Sequence, residues 1–202
     1  MTISDPRERN QLFSNESIAA YASDYSNMLK RAIQSIDETE LKKSEEILRE
    51  YYKNNQYIFT IGNGGSNAIA DHLACDFVKG SYKSSKQRFR VIPLGSLSSL
   101  NSAAANDFGH EKSFSKLIEL LGEENGLLIA ISSSGNSKNI IEAVEYNRSR
   151  GGKTIGLTGF DGGELKKISD ASLHVNANNY GIVEDAHQSI MHIFSQYFLS
   201  QA

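Results

Sequence analysis

The sequence predicts an α/β fold built on a parallel sheet, because short strand-like runs alternate with helix-length segments. Five apolar runs follow one another from Tyr57 onward: YIFTIG, RVIPL, LLIAIS, TIGLTG and SLHV. Since these runs are apolar at nearly every position, they suit strands that are buried on both faces, as in parallel sheets. The segments between them, about a dozen residues or longer, suit crossover helices.

The helices predicted after the first strand span residues 66–79, 111–121, 137–150, 164–168 and 183–201. Ahead of that strand, residues 14–35 place apolar side chains at three- and four-residue steps, which is typical of an amphipathic helix. Asp37 then offers the cap of a second helix. We predict one domain over 1–202, with a helical lead over 1–55 and an α/β core over 56–202. The two leading helices either only cover the core or also pair subunits.

Composition excludes several classes of protein. The chain has 202 residues, 39% of them hydrophobic, with 21 basic and 24 acidic side chains and a net charge of −3. This balance argues against disorder and against nucleic acid as a partner. No run approaches the roughly 20 apolar residues of a membrane-spanning helix, so we expect no membrane partner. The single cysteine and the lack of an apolar run of signal-peptide type predict a cytoplasmic protein.

Two predicted strands end in similar loops, GNGGS at 62–66 and SSSGNS at 132–137. Glycine lets the backbone approach an anion, while helix-start N–H groups and serine hydroxyls donate hydrogen bonds without bulk. The loops therefore predict a phosphate site, although tight turns with capping serines would look similar. Neither loop matches the P-loop or the G-x-G-x-x-G pattern, which favours a sugar phosphate over a nucleotide.

Two pairs of ionisable residues lie on predicted helices. His72 and Asp76 are four residues apart and share a helix face, so they either hold one ion or form a capped surface pair. Glu184 and His192 are eight residues apart, about 12 Å along a helix. Glu184 therefore lies at a frayed helix start or serves the substrate. His192 has apolar neighbours and would also suit a core position, and His187 suits a substrate or interface contact.

These motifs together resemble a known family. The segments IGNGGSNAIADHLACDF, AANDFG, ISSSGNS, LTGFDGG and VEDAHQSIMHI are similar, in order and spacing, to the sugar isomerase (SIS) domain of bacterial phosphoheptose isomerases. The resemblance runs from about Glu40 to the C-terminus. It implies a three-layer αβα SIS domain with a five-stranded parallel sheet, preceded by two N-terminal helices. It also implies a homotetramer with active sites between subunits.

The implied reaction converts sedoheptulose 7-phosphate to D-glycero-D-manno-heptose 7-phosphate, for lipopolysaccharide or capsule heptose synthesis, with one zinc ion per subunit. By resemblance, the substrate and phosphate contacts are Asn63, Gly64, Gly65, Ser66, Asn106, Asp107, Ser132, Ser133, Ser134, Ser137 and Glu184. The implied metal ligands are His72, Asp76, Glu184 and His192, and the implied catalytic residues are Asp76, Glu184 and His192.

Two positions depart from the family. Asp76 stands where the family usually has glutamate, and Glu184 stands where it usually has glutamine. Our hypothesis is that Asp76 or Glu184 takes the proton and that His192 shuttles it at the oxygen. The alternatives are an isomerase of another sugar phosphate, and a non-catalytic SIS protein resembling the DnaA initiator-associating proteins.

Overall fold

The computed structural model describes residues 13–14, 16–80, 88–122 and 124–201. The helices are α1 (Ile18–Gln34), α2 (Glu38–Lys53), α3 (Gly65–Gly80), α4 (Ser98–Phe108), α5 (Ser113–Leu121), α6 (Lys138–Ser149), α7 (Gly163–Ile168) and α8 (Tyr180–Gln201). The strands are β1 (Tyr57–Gly62), β2 (Arg90–Pro93), β3 (Leu127–Ile131), β4 (Lys153–Thr158) and β5 (Ala171–His174). Short 3₁₀ turns occupy Leu94–Ser96 and His110–Lys112.

The five strands form one parallel sheet in the order β2-β1-β3-β4-β5, which confirms the predicted fold class. Each strand lies within one residue of its predicted bounds. After β1 the chain moves outward to β2 and then returns to the other side of β1 as β3. This reversal makes the boundary between β1 and β3 a topological switch point. There the loops at the carboxyl ends of the two strands leave a crevice for ligands.

The sheet has a separate hydrophobic core on each face, as the continuous apolar runs predict. Along β3, Leu127, Ile129 and Ile131 pack into the core that also holds residues of α1, α2, α3 and α8. Leu128 and Ala130 pack into the opposite core with residues of α4, α5, α6 and α7. Since every residue of β3 is buried, this strand forms the centre of a three-layer structure.

The two N-terminal helices belong to the first of these cores. Asp37 caps α2 as predicted, since its Oδ1 accepts from the backbone N–H groups of Thr39 and Glu40 at 2.7 and 3.2 Å. The backbone N–H of Ser172 on the edge strand β5 donates to Glu40 Oε2 at 2.6 Å. The second helix thus also covers an otherwise open strand edge. In the described part of the chain, no helix has the length and apolar character needed to cross a membrane.

Helix α4 was not predicted from the sequence. Ala104 is its one buried residue, so the segment carries almost no apolar periodicity. It ends at Gly109, which has a φ of +86°. The helix is relevant to the site because it carries Asn106 and Asp107 near its C-terminal end.

Candidate active site

The two predicted phosphate loops lie side by side at the switch point. Gly62, the last residue of β1, is in register with Ile131, the last residue of β3, so the loops 62–66 and 132–137 begin at the same level. We call these two loops the cradle. At Gly62 a side chain is excluded, because a Cβ would stand 2.5 Å from the Ser66 backbone. Both loops also contain a positive-φ glycine.

The serine loop of the cradle is held by its own backbone and by β4. The N–H of Ser132 donates to Leu157 O at 3.0 Å, and the N–H of Gly135 donates to Ser132 O at 2.9 Å. Gly135 has a φ of +66°, and a Cβ there would stand 1.9 Å from Gly162 O. Only glycine therefore suits this position, and the close approach fixes the loop against the turn that follows β4.

Serine hydroxyls gather in this cradle. Ser66, Ser132 and Ser133 are all buried. Ser132 Oγ donates to Ser137 Oγ at 3.3 Å, and Ser134 Oγ accepts from the N–H of Asn136 at 3.3 Å. Ser133 Oγ is buried and has no hydrogen-bond partner among the described residues. A buried hydroxyl without a protein partner suits the oxygen of a bound ligand.

The predicted sugar contacts occupy two places. Asn63 and Asn139 exchange two hydrogen bonds of 2.9 Å through their amides, at the edge of a polar cavity of about 240 Å³ that Asn101 and His110 also line. Asn106 and Asp107 are exposed at the end of α4, where the Asn106 amide donates to Asp107 Oδ1 at 2.9 Å. The structure thus brings Asn63 to the cradle, whereas Asn106 and Asp107 lie on a separate helix end.

A second cluster lies farther along α3. His72 and Asp76 on this helix meet His192 of α8, and one potential ligand atom of each lies within 4.8 Å of those of the other two. Asp76 Oδ1 lies 3.5 Å from His72 Nε2, and Asp76 Oδ2 lies 3.1 Å from His192 Nδ1. We call these three residues the triad. It unites three of the four side chains predicted as metal ligands.

The fourth predicted ligand, Glu184, lies elsewhere. It is in the second turn of α8, and its carboxylate packs against Gly65, where a Cβ would stand 2.7 Å from Glu184 Oε2. Helices α3 and α8 run in the same direction, so Glu184 lies beside the cradle and His192 beside Asp76. Burial, with a smaller contribution from Asp185, raises the pKa of the Glu184 carboxyl. The structure thus places Glu184 inside α8 and beside the cradle, and not at a frayed helix start.

Sequence reasoning missed Gln188. Its Nε2 lies 2.8 Å from His72 Nδ1 and 3.2 Å from His192 Nε2, so one amide contacts both histidines of the triad. The signal that could have found it is its spacing, since a residue four positions before His192 shares a helix face with it.

His187 was expected at a substrate or interface contact, and this expectation is wrong. The side chain is fully buried beneath the sheet end, near the Thr158 backbone. Burial lowers the pKa of His187 to about 4, despite a smaller opposing contribution from that backbone. The residue is therefore a neutral core histidine.

The chemistry of the triad fits a metal ion. Two imidazoles and one carboxylate form the donor set of many catalytic zinc sites, in which a fourth position stays open for water or substrate. Both side-chain types also bind other divalent transition metals, so the donor set indicates a class of ions. The side chains of His72, Asp76 and His192 remain 30–47% exposed, which leaves access to such an ion.

Comparisons with known proteins identify the family of this chain. The SIS domain family matches residues 20–159. The phosphoheptose isomerase of Helicobacter pylori (strain P12) is 38% identical over 82% of this chain and 85% of its own length. The phosphoheptose isomerase of Aliarcobacter butzleri (strain RM4018) is 37% identical over 83% and 88%. The chain belongs to the phosphoheptose isomerase family of SIS domains.

Within this family a solved structure has the same fold. Phosphoheptose isomerase GmhA from Neisseria gonorrhoeae superposes with a TM-score of 0.81 at 28% identity, over 92% of this chain and 97% of its own. Because the match covers most of both chains, the similarity in fold is not limited to the cradle.

Proposed function

We propose that this chain is an aldose-ketose isomerase that converts sedoheptulose 7-phosphate to D-glycero-D-manno-heptose 7-phosphate. The observation that carries the proposal is the placement of the triad relative to the cradle. Ser66 and His72 are six residues apart on α3, and Ser66 and Asp76 are ten apart. At 1.5 Å per residue these separations are about 9 and 15 Å along the helix.

The substrate's length fits this spacing. An extended heptose 7-phosphate has eight bonds from C1 to phosphorus, which span roughly 9–10 Å at the reach per bond of an extended chain. A triose phosphate has four such bonds and spans roughly half that distance. A long sugar phosphate can therefore place its phosphate in the cradle and its reacting carbons at the triad, since helix side chains lean toward the N-terminus.

At the phosphate end, the chain supplies hydroxyl and backbone donors. Ser66, Ser132, Ser133, Ser134 and Ser137 surround the anion, and the start of α3 contributes the positive end of its dipole. The Glu184 carboxylate is placed against this end of α3, beside Gly65. We assign it to orienting the substrate.

At the reacting end, we assign proton transfer to Asp76 and His192. Isomerisation moves a proton between C1 and C2 through an enediol, so a base must reach the carbon and a second group must serve the oxygens. Asp76 Oδ2 and His192 Nδ1 lie 3.1 Å apart. Each side chain has a second polar atom, Asp76 Oδ1 and His192 Nε2, which can take part in proton transfer while the first atom faces an ion. Glu184 lies about 12 Å from His192 along α8, too far for both to serve adjacent carbons.

We propose that His72, Asp76 and His192 hold a zinc ion, one per subunit. When bound, such an ion polarises the carbonyl oxygen and favours the enediol. The triad stays substantially exposed in a single chain, and two exposed apolar residues, Val78 and Ile193, lie on the same two helices. These features support a second copy of the chain covering this side of the site. We propose that the assembly is a homotetramer, as the family resemblance implies, and that the protein is cytoplasmic.

Proton NMR of the metal-replete protein with sedoheptulose 7-phosphate in D₂O tests the activity. We expect an aldose anomeric signal, entry of deuterium into the carbon skeleton, and loss of both after chelation. The same assay with a hexose 6-phosphate tests substrate length. An absence of turnover and of exchange with the heptulose phosphate would contradict the proposal, whereas turnover of the hexose alone would redirect it to another sugar phosphate.

A further inference from the structure

The amide of Gln188 contacts two imidazoles at once, and it does so on a particular side of each ring. It meets Nδ1 of His72 at 2.8 Å and Nε2 of His192 at 3.2 Å. The opposite ring nitrogens, Nε2 of His72 and Nδ1 of His192, face the two oxygens of Asp76. Each histidine therefore lies between the amide and the carboxylate.

We propose that Gln188 is a positioning residue that sets the tautomers of both histidines and switches them when the triad takes up a metal ion. The inference deepens the proposed function, because it assigns a role to a residue beside the metal site. Gln188 is not one of the metal ligands that the family resemblance implies, which are His72, Asp76, Glu184 and His192.

The contacts in the described structure define one tautomer for each ring. A neutral imidazole has one N–H and one lone pair, and its hydrogen bonds decide which nitrogen carries the proton. Gln188 Nε2 donates to His72 Nδ1 and to His192 Nε2, so these two nitrogens carry lone pairs. The protons then lie on His72 Nε2 and His192 Nδ1, where both point at Asp76.

A metal ion at the triad requires the reverse arrangement. The nitrogens that face Asp76 must then present lone pairs, and the protons must move to the nitrogens that face Gln188. A half-turn of the carboxamide places Oε1 where Nε2 was, so the same side chain accepts from both rings. Glutamine can serve both states because its amide has a donor and an acceptor of nearly equal size.

Two substitutions separate this role from a structural one. Gln188→Leu removes both hydrogen-bonding functions, while Gln188→Glu keeps only the acceptor that the metal-bound state needs. Gln196→Glu makes the same chemical change at an exposed position of the same helix and is the matched control. All three variants are compared with the wild type in thermal unfolding, so that a folding defect is recognised separately.

The first readout is nitrogen-15 NMR of histidine-labelled protein at about pH 8.5, where ordinary imidazoles are neutral. In the metal-free wild type we expect His72 protonated at Nε2 and His192 at Nδ1, with both assignments reversed after zinc is added. Gln188→Leu is expected to give tautomer mixtures without zinc. Metal-free tautomers that are mixed in the wild type, or unchanged in Gln188→Leu, would overturn the proposal.

The second readout is zinc affinity, measured by competition with a chromophoric chelator. We expect Gln188→Leu to weaken binding by roughly 10–100-fold, as loss of a supporting hydrogen bond to ligand histidines does elsewhere. Gln188→Glu and Gln196→Glu should stay within about threefold of the wild type. Equal affinity of Gln188→Leu and the wild type would overturn the role. If the wild type binds no zinc, the metal proposal fails, while the metal-free tautomers still decide the role of Gln188.

Discussion

The cradle and the triad are both connected to α3, which begins in the cradle and carries His72 and Asp76, but they are built in different ways. The cradle consists of loop backbone and buried serines, and Gly135 fixes it by a contact that admits no side chain. The triad consists of side chains on helix surfaces, and His72 is exposed. The fold itself therefore presets the phosphate end, whereas the reacting end depends on rotamers, tautomers and a bound ion.

The largest expected effect removes the carboxylate of the triad. Asp76→Asn keeps the shape of the side chain but loses its basicity and its charge, so kcat should fall by roughly 10²–10⁴-fold. Because the cradle is separate, binding of inorganic phosphate should change by less than about twofold. Asp76→Glu, which keeps a carboxylate, is the matched variant and should retain measurable turnover. Steady-state kinetics and phosphate titration check these outcomes. If Asp76→Asn lost phosphate affinity by as large a factor as kcat, the cradle and the triad would not be independent.

The second prediction concerns the cradle and tests the close contact at Gly135. Gly135→Ala imposes a positive φ on a residue with a side chain and drives its Cβ into Gly162 O, at a combined cost of roughly 2–5 kcal/mol. Gly122 is the matched control, because its φ is +74° and a Cβ there would meet nothing within 4 Å. Gly122→Ala should therefore lose only the part of the unfolding free energy that comes from the positive φ.

Urea unfolding measures the stability of both glycine variants, and phosphate titration measures the cradle. We expect Gly135→Ala to lose phosphate affinity, whereas Gly122→Ala should bind like the wild type. Equal stability losses in the two variants would show that the contact with Gly162 does not hold the serine loop.

The contrast between the two regions also explains how much could be predicted from sequence. The strands and the cradle loops could be predicted because apolar runs and loops rich in glycine and serine are local patterns in the sequence. The partners of His72 and Asp76 depend on the register between α3 and α8, which no local pattern fixes. Gln188 was missed for this reason, and Glu184 was given two possible positions. Helix α4 was not predicted because it buries one residue and so shows almost no apolar periodicity in the sequence.

A third prediction concerns His187, the buried histidine near the end of β4. His187 has a pKa of about 4 in the folded protein against an ordinary value of 6.5. Below pH 6.5 the unfolded chain therefore binds a proton that the folded chain does not, and stability falls as the pH falls toward 4. The expected loss is about 2 kcal/mol at pH 5 relative to neutral pH.

His187→Leu should remove that part of the pH dependence, while His110→Gln, at an exposed position, should leave it unchanged. Urea unfolding at neutral pH and at pH 5 provides the measurement. An unchanged pH dependence in His187→Leu would assign the acid sensitivity to other groups.

The smallest expected effect on turnover is that of Glu184→Gln. If Glu184 orients the substrate beside the cradle, the amide should keep kcat within about fivefold, with any larger change appearing in KM. A fall of 100-fold or more in kcat would instead make Glu184 the base and would contradict the assignment of Asp76. The stability of the variant provides an independent check. Burial raises the pKa of the Glu184 carboxyl, so the wild type loses stability as the pH rises from the ordinary carboxyl pKa to the raised one. Glu184→Gln should therefore be the more stable protein above that range and no more stable in acid.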